Sequence, residues 1–237
     1  MFSSVAAAAG YTATAALAGA GGTAPTTAST TPSVPAVHTA PITARSSKLT
    51  YHGPVYEKTA TGQIVPYVAP TSASRLGATT GGSAAIVPAL AKPELLVPGT
   101  LARVINGQAA APMSAPAAVQ EIVWSGNQII GLPYIFGGGH ASFTSPGYDC
   151  SGTVSFALHG ADLLSTPMDS SEFEGWQAGG VGQWVTVFAN PGHAYMTVAG
   201  IRLDTSAADD PTNQQGPRWR PLRRGNAGYT VRHPAEL

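Results

Sequence analysis

The side chain best suited to covalent chemistry is the thiol of Cys150, the chain's one cysteine. Asp149 is a good N-cap residue, so we predict that a helix begins here with Cys150 in its first turn. The unpaired N–H groups and the dipole at a helix N-terminus favour a thiolate and stabilise the oxyanion of an acyl-transfer intermediate. We therefore assign Asp149 and Ser151 to the substrate-binding or oxyanion region. A cysteine that packs as a small hydrophobe is the alternative, but the position beside a capping aspartate favours a nucleophile.

A thiol nucleophile needs a base, and six histidines are available. His193 follows Asn190-Pro191-Gly192 and opens the apolar run AYMTVA, so a rigid predicted strand would hold it. His38 and His52 lie in the presumed spacer, His159 is far along the Cys150 helix, and His233 is near the terminus. His140 lies in a glycine-rich loop that could line the cleft. A mobile loop is a poor place for a base. We therefore predict that His193 is the base.

The base in turn needs an orienting group, for which Asp204 is the candidate. A two-residue turn at Ala199-Gly200 would place Tyr195 opposite Asp204. His193 and Asp204 would then be diagonal neighbours on one face, about 7–8 Å apart between backbones, which is within side-chain reach. The alternative for Asp204 is a solvated acid near a turn.

Periodicity and turn residues predict the elements that position these groups. Helical spacing of apolar residues follows Ser114, a plausible N-cap, with Pro116 in the first turn, and the helix would stop at Gly131 and Pro133. A second helix would start at Asp149 or Cys150. Alternating patterns predict strands over 183–189, 194–199 and 201–205. Two helices followed by short strands predict an α+β domain.

Composition divides the chain into three predicted parts. Residues 1–20 are mildly apolar and end in small residues, as in a degraded or truncated export signal, although the usual basic start is missing. Residues 21–113 are rich in Ala, Thr and Pro and predict a mostly disordered, loop-like spacer, in which 63–68 and 101–105 could form short strands. All four tryptophans lie beyond residue 120, so we expect the folded catalytic domain over 114–237.

Three segments, in order, resemble the NlpC/P60 family of cell-wall cysteine peptidases over about residues 116–206. LPYIFGG at 132–138 resembles the family's PYxxGG segment, YDCSG at 148–152 its DCSG nucleophile motif, and GHA at 192–194 its GHV base motif. The resemblance implies a papain-like core, with N-terminal helices packed on a small antiparallel sheet. It also implies Cys150 as nucleophile, His193 as base, and Tyr134 in the oxyanion or substrate pocket. A core aromatic is the alternative for Tyr134.

The sequence departs from the family pattern in three places. The loop between Tyr134 and Cys150 is a few residues longer than usual and includes His140. The third catalytic position is often His, Asn or Gln, whereas the best match here is Asp204. The C-terminal arginines have no counterpart and fit either a solvated surface or carboxylate binding: Arg218, Arg220, Arg223 and Arg224.

Composition and the resemblance together predict a secreted, extracellular or wall-associated peptidase. It would cut the stem peptides of peptidoglycan, commonly between D-glutamate and the diamino acid. Net charge is zero. The sequence contains no run of basic residues of the kind that binds nucleic acid, so we expect no such partner. No segment has the apolar length of a membrane span, and no HExxH spacing indicates a metal. We expect a monomer that needs no cofactor. The alternatives are a Cys–His amidase or acyltransferase on the same fold, and a non-catalytic wall-associated binding protein.

Overall fold

A computed structural model of the chain describes residues 51–69 and 92–237. Within these ranges the fold is mixed α+β, with two α-helices and two β-sheets. The helices are α1 (Ala117–Ile129) and α2 (Cys150–His159), with a short 3-10 helix at Glu172–Gly175. The strands are β1 (Tyr56–Lys58), β2 (Ile64–Pro66), β3 (Glu94–Val97), β4 (Arg103–Ile105), β5 (Gln108–Pro112), β6 (Ala178–Gly179), β7 (Val185–Asn190), β8 (His193–Val198), β9 (Ile201–Asp204), β10 (Arg218–Arg220) and β11 (Thr230–His233). Over the described residues, no helix combines the length and apolarity needed to cross a bilayer.

The larger sheet has six strands in the order β10-β9-β8-β7-β11-β6, and each pair of adjacent strands is antiparallel. The three strands predicted in this region are confirmed to within two residues at each end. The predicted turn between β8 and β9 is also confirmed, because Ala199 and Gly200 have φ angles of 45° and 88°. Positive φ at both central residues is the geometry of a tight hairpin turn. Thr197 pairs with Arg202, and this register places Tyr195 opposite Asp204.

A second sheet of five strands, in the order β2-β1-β3-β5-β4, is formed by residues upstream of α1. The expectation of a mostly loop-like spacer is therefore wrong over the described part of residues 21–113, although the two short strands suggested at 63–68 and 101–105 are present as β2 and β4. These strands are three to five residues long, too short for a clear alternation. One pair, β3 with β5, is parallel, and such pairing is not visible in local sequence. The predicted export signal and much of the predicted spacer lie outside the described residues.

The two helices differ in how well their starts were predicted. Ser114 is not the N-cap of α1, because the helix begins at Ala117 with Pro116 in the cap position and no side-chain cap. The Ser114 hydroxyl instead donates to the carbonyl of Gly99 at 2.7 Å. The helix ends at Ile129, as predicted, before the glycine and proline that follow. The start of α2 at Cys150 is also confirmed.

The two helices lie between the sheets. α1 packs against β5 and α2, and α2 packs against β8 and β9. Their apolar faces share one core with residues from both sheets, among them Leu96, Ala109, Val119, Ile122, Val154, Leu158, Met196 and Leu203. The core thus extends upstream of residue 114, and it fixes the first turn of α2 near the start of β8.

One buried amide joins three parts of the chain. Asn127 of α1 has no exposed surface. Its Oδ1 accepts from the backbone N–H of Ala109 and from the indole N–H of Trp219, each at 2.8 Å. Its Nδ2 donates to the carbonyl of Ala109, also at 2.8 Å. Asn127 therefore links the five-stranded sheet, α1 and β10.

We predict that Asn127→Leu, which keeps the shape but removes the amide, lowers the free energy of unfolding by roughly 3 to 5 kcal/mol. The reason is that buried donors and an acceptor on Ala109 and Trp219 lose their partner, at about 1–3 kcal/mol each. Urea unfolding measures the change. Gln215→Leu, at an exposed amide, is the control. Equal midpoints for the two variants would contradict the linking role of Asn127.

Candidate active site

Cys150 lies in the first turn of α2, and the residue is 9 % exposed. The Asp149 carboxylate caps the helix by accepting from the backbone N–H of Gly152 at 2.8 Å. The N–H groups of Cys150 and Ser151 precede the first intrahelical hydrogen bonds. They are suited to stabilise negative charge that develops beside the sulfur.

His193 is the first residue of β8, and both its backbone and its ring are held. Its backbone N–H donates to Asn190 Oδ1 at 2.9 Å. Its Nε2 lies 2.9 Å from Asp204 Oδ1. The ring also interacts with the Cys150 thiol, and since Nε2 contacts Asp204, Nδ1 is the ring nitrogen left for the sulfur. The structure therefore brings together Cys150, His193 and Asp204 in the order that a thiol nucleophile, its base and an orienting acid require.

The contacts shift both titrating groups of this pair. Burial by itself raises the pKa of the Cys150 thiol, but hydrogen bonds from His193 and at the backbone of Ala194 outweigh it, and the pKa lies below its usual value. Burial by itself lowers the pKa of His193, but its hydrogen bonds to Asp204 and Cys150 raise that pKa to about 9. Both shifts favour a thiolate–imidazolium pair near neutral pH.

Asp204 is 1 % exposed and is surrounded by donors rather than by water. Its Oδ2 accepts from Arg202 Nη1 at 2.8 Å, and its Oδ1 accepts from the backbone N–H of Ser206 at 2.8 Å as well as from His193. Arg220 Nε donates to its backbone carbonyl at 2.9 Å. The alternative of a solvated turn acid is therefore wrong for Asp204.

Tyr134 lies at the rim of the site, on the loop that precedes α2. It is 45 % exposed, and the neighbouring Phe136 is 90 % exposed. Partial burial, together with the nearby Cys150 and Asp149, raises the pKa of the Tyr134 phenol. The alternative of a core aromatic is therefore wrong, and the side chain remains available to a ligand near the thiol.

Asp149 and Ser151 flank the nucleophile, but their side chains do not line an open site. They are 3 % and 2 % exposed, and both contact the ring of His140. The Asp149 carboxylate also accepts from the backbone N–H of Gly137 at 3.0 Å. Any contribution of this turn to substrate or oxyanion binding would therefore come from its backbone N–H groups.

The glycine-rich loop that carries His140 was expected to be mobile, but it is tightly packed. The carbonyl of Gly138 accepts from the backbone N–H of Asp149 at 3.1 Å. A Cβ at Gly152 would lie 2.1 Å from that carbonyl oxygen. The glycines therefore serve close backbone approach rather than mobility. The small residues on both sides of this contact, GGG at 137–139 and CSG at 150–152, were the sequence signal for such a close approach.

The C-terminal arginines have separate roles. Arg220 is fully buried, pairs with Asp210 and donates to backbone carbonyls, so a solvated position is wrong for it. Arg223 lies over the rings of Tyr195 and Tyr229 at 5.2 and 5.3 Å. Arg224 is exposed, as expected for a solvated surface.

Comparisons with protein families and with curated proteins found no relative of this chain. No protein-family model matches the chain, and no curated protein gives a significant match. Over the described residues, no group of three or more His, Cys, Asp or Glu side chains is arranged to hold a metal ion.

We predict that Asp204→Ala lowers the free energy of unfolding by about 3–5 kcal/mol, because it leaves the fully buried Arg202 without its carboxylate. Denaturant unfolding measures the change. Asp209→Ala is the matched control, since Asp209 pairs at 3.7 Å with an arginine whose side chain is 92 % exposed, and exposed pairs contribute little. A loss no larger than the control's would show that Arg202 does not depend on Asp204.

Proposed function

We propose that the protein is a secreted cysteine peptidase that hydrolyses amide bonds in the stem peptides of peptidoglycan, and that its fold is the papain-like NlpC/P60 core. The observation that carries the proposal is the contact series from Cys150 through His193 to Asp204. Thiol hydrolysis follows from that series. The wall substrate and the secreted location rest on the resemblance of the three motifs around Tyr134, Cys150 and His193, with D-glutamyl–diamino acid as the bond expected.

In the acylation step, the Cys150 thiolate attacks the carbonyl carbon of the scissile amide, and a C–S bond forms. The carbonyl oxygen gains negative charge next to the N–H groups of Cys150 and Ser151. The intermediate then collapses, the C–N bond breaks, and the His193 imidazolium gives its proton to the leaving amine. The products of this step are a free amine and a thioester on Cys150.

In the deacylation step, neutral His193 takes a proton from water, and the resulting hydroxide attacks the thioester. The C–S bond breaks, which releases a carboxylic acid and restores the thiolate beside the imidazolium. Asp204 neither gives up nor takes up a proton in either step. Its contact with Nε2 keeps Nδ1 directed at the sulfur and stabilises the imidazolium.

The single cysteine allows a direct test on purified peptidoglycan. We expect wild type to release soluble stem fragments, detected by chromatography and mass spectrometry, and Cys150→Ala to release none. Wild type treated with iodoacetamide is the matched control, because Cys150 is the one thiol that the reagent can modify.

Each other result selects an alternative. Equal release by wild type and Cys150→Ala would refute the thiol mechanism. Intact wall together with thiol-dependent cleavage of a simple acyl substrate would favour an amidase or acyltransferase. Binding to wall without release would favour a non-catalytic binding protein.

The pKa shifts predict a bell-shaped pH dependence for the rate on a soluble stem peptide. Activity rises as the Cys150 thiol ionises, below the usual pKa of a thiol, and falls as His193 loses its proton near pH 9. Asp204→Asn removes a contact that raises the pKa of His193, so its alkaline limb should lie at lower pH. An unchanged alkaline limb in that variant would contradict the role of Asp204.

A further inference from the structure

A second histidine–aspartate contact lies at the start of α2, next to Cys150 in sequence. His140 Nε2 is 3.0 Å from Asp149 Oδ1 and 2.9 Å from Ser151 Oγ. The Asp149 side chain is 5 % exposed and that of His140 is 35 % exposed. The two residues that flank the nucleophile along the chain therefore both contact one imidazole nitrogen.

The direction of the hydrogen bonds follows from the groups present. An ionised carboxylate only accepts, so Nε2 carries the proton and donates to Asp149. The Ser151 hydroxyl lies 3.4 Å from Asp149 Oδ1, where it also donates to the carboxylate. With the N–H groups of Gly137 and Gly152, this network surrounds Asp149 with donors.

These donors matter because Asp149 has two opposed effects on its neighbour. As the N-cap it fixes the first turn of α2, which holds the thiol. As an anion beside Cys150 it opposes the formation of a thiolate. A donor that withdraws charge from the carboxylate reduces the second effect and preserves the first.

We propose that His140 is a positioning residue that holds the Asp149 carboxylate on the first turn of α2 and offsets its charge, which favours the thiolate form of Cys150. The inference rests on the proposed function, since it concerns the same thiol. The other groups that act on the thiol are the His193 ring and the backbone of Ala194, and the Tyr134 phenol lies nearby. Asp204 lies behind His193.

The test is the pH dependence of Cys150 alkylation by iodoacetamide, measured by mass spectrometry on the full chain. His140→Leu removes the donor, and we expect the midpoint of the profile to rise by roughly half a unit to one unit, which is about three- to tenfold slower alkylation below it. His140→Gln places an amide N–H near the position of Nε2 and should restore most of the wild-type profile. His52→Leu, at an exposed histidine, is the control.

A double-mutant cycle separates this role from a general packing effect. In an Asp149→Asn background the charge is absent, so His140→Leu should cause little further shift. His140→Ala is measured in parallel, so that a folding defect of the leucine variant leaves the comparison intact. Superimposable profiles for wild type and the folded donor-less variants would overturn the proposal, and so would an equal shift in the Asp149→Asn background.

Alkylation needs no wall substrate, so the two proposals fail separately. A shifted profile without any cleavage of peptidoglycan would retain the role of His140 and reject the peptidase function. Thiol-dependent cleavage with an unshifted profile would do the reverse.

Discussion

The carboxylate of Asp204 is the group on which the site and its sheet both depend. It is almost fully buried, and it is shared between the ring of His193 and the guanidinium of Arg202. A buried carboxylate is costly unless cations and donors surround it, and each of its partners has a consequence. Arg202 pairs with it within the fold. Its hydrogen bond to Nε2 of His193 raises the pKa of that histidine and leaves the other ring nitrogen for Cys150. One side chain therefore connects the stability of the sheet to the state of the thiol.

The polar side chains around Asp204 explain why the C-terminal residues are needed near the site. One face of β8 and β9 packs on the helices through apolar side chains, whereas the other carries Arg202 and, from β10, Arg220. Both arginines are fully buried. Arg220 donates to the carbonyls of Asp204, Gln214 and Gly216, so the loop between β9 and β10 closes over the ion pair. Burial by this loop strengthens the contact between Asp204 and His193, because the surrounding dielectric is lower than that of water.

The parts of this arrangement that follow local rules could be predicted from the sequence. Cys150 follows a capping residue and His193 opens a strand, while Asp204 is placed by a two-residue turn, so each position depends on a few neighbouring residues. The five-stranded sheet could not be predicted, since its strands are very short and one of its pairings is parallel across a distant part of the chain. The packing of the loop that carries His140 could not be predicted for a related reason. Its rigidity comes from contacts with residues nine and eleven positions away in sequence, which loop composition does not reveal.

Two histidine–carboxylate pairs thus lie close to one thiol, and their carboxylates affect its ionisation in opposite directions. Asp204 favours the thiolate indirectly, because it stabilises the imidazolium that pairs with the sulfur. Asp149 disfavours the thiolate directly through its charge, yet the start of α2 requires a cap at that position. An uncharged cap would avoid the conflict. It would also weaken the hydrogen bonds from Gly137 and His140 to Asp149, which fix the glycine-rich loop to the helix. The donor supplied by His140 allows the chain to combine a charged cap, a glycine-rich loop fixed to the helix and a thiol with a lowered pKa.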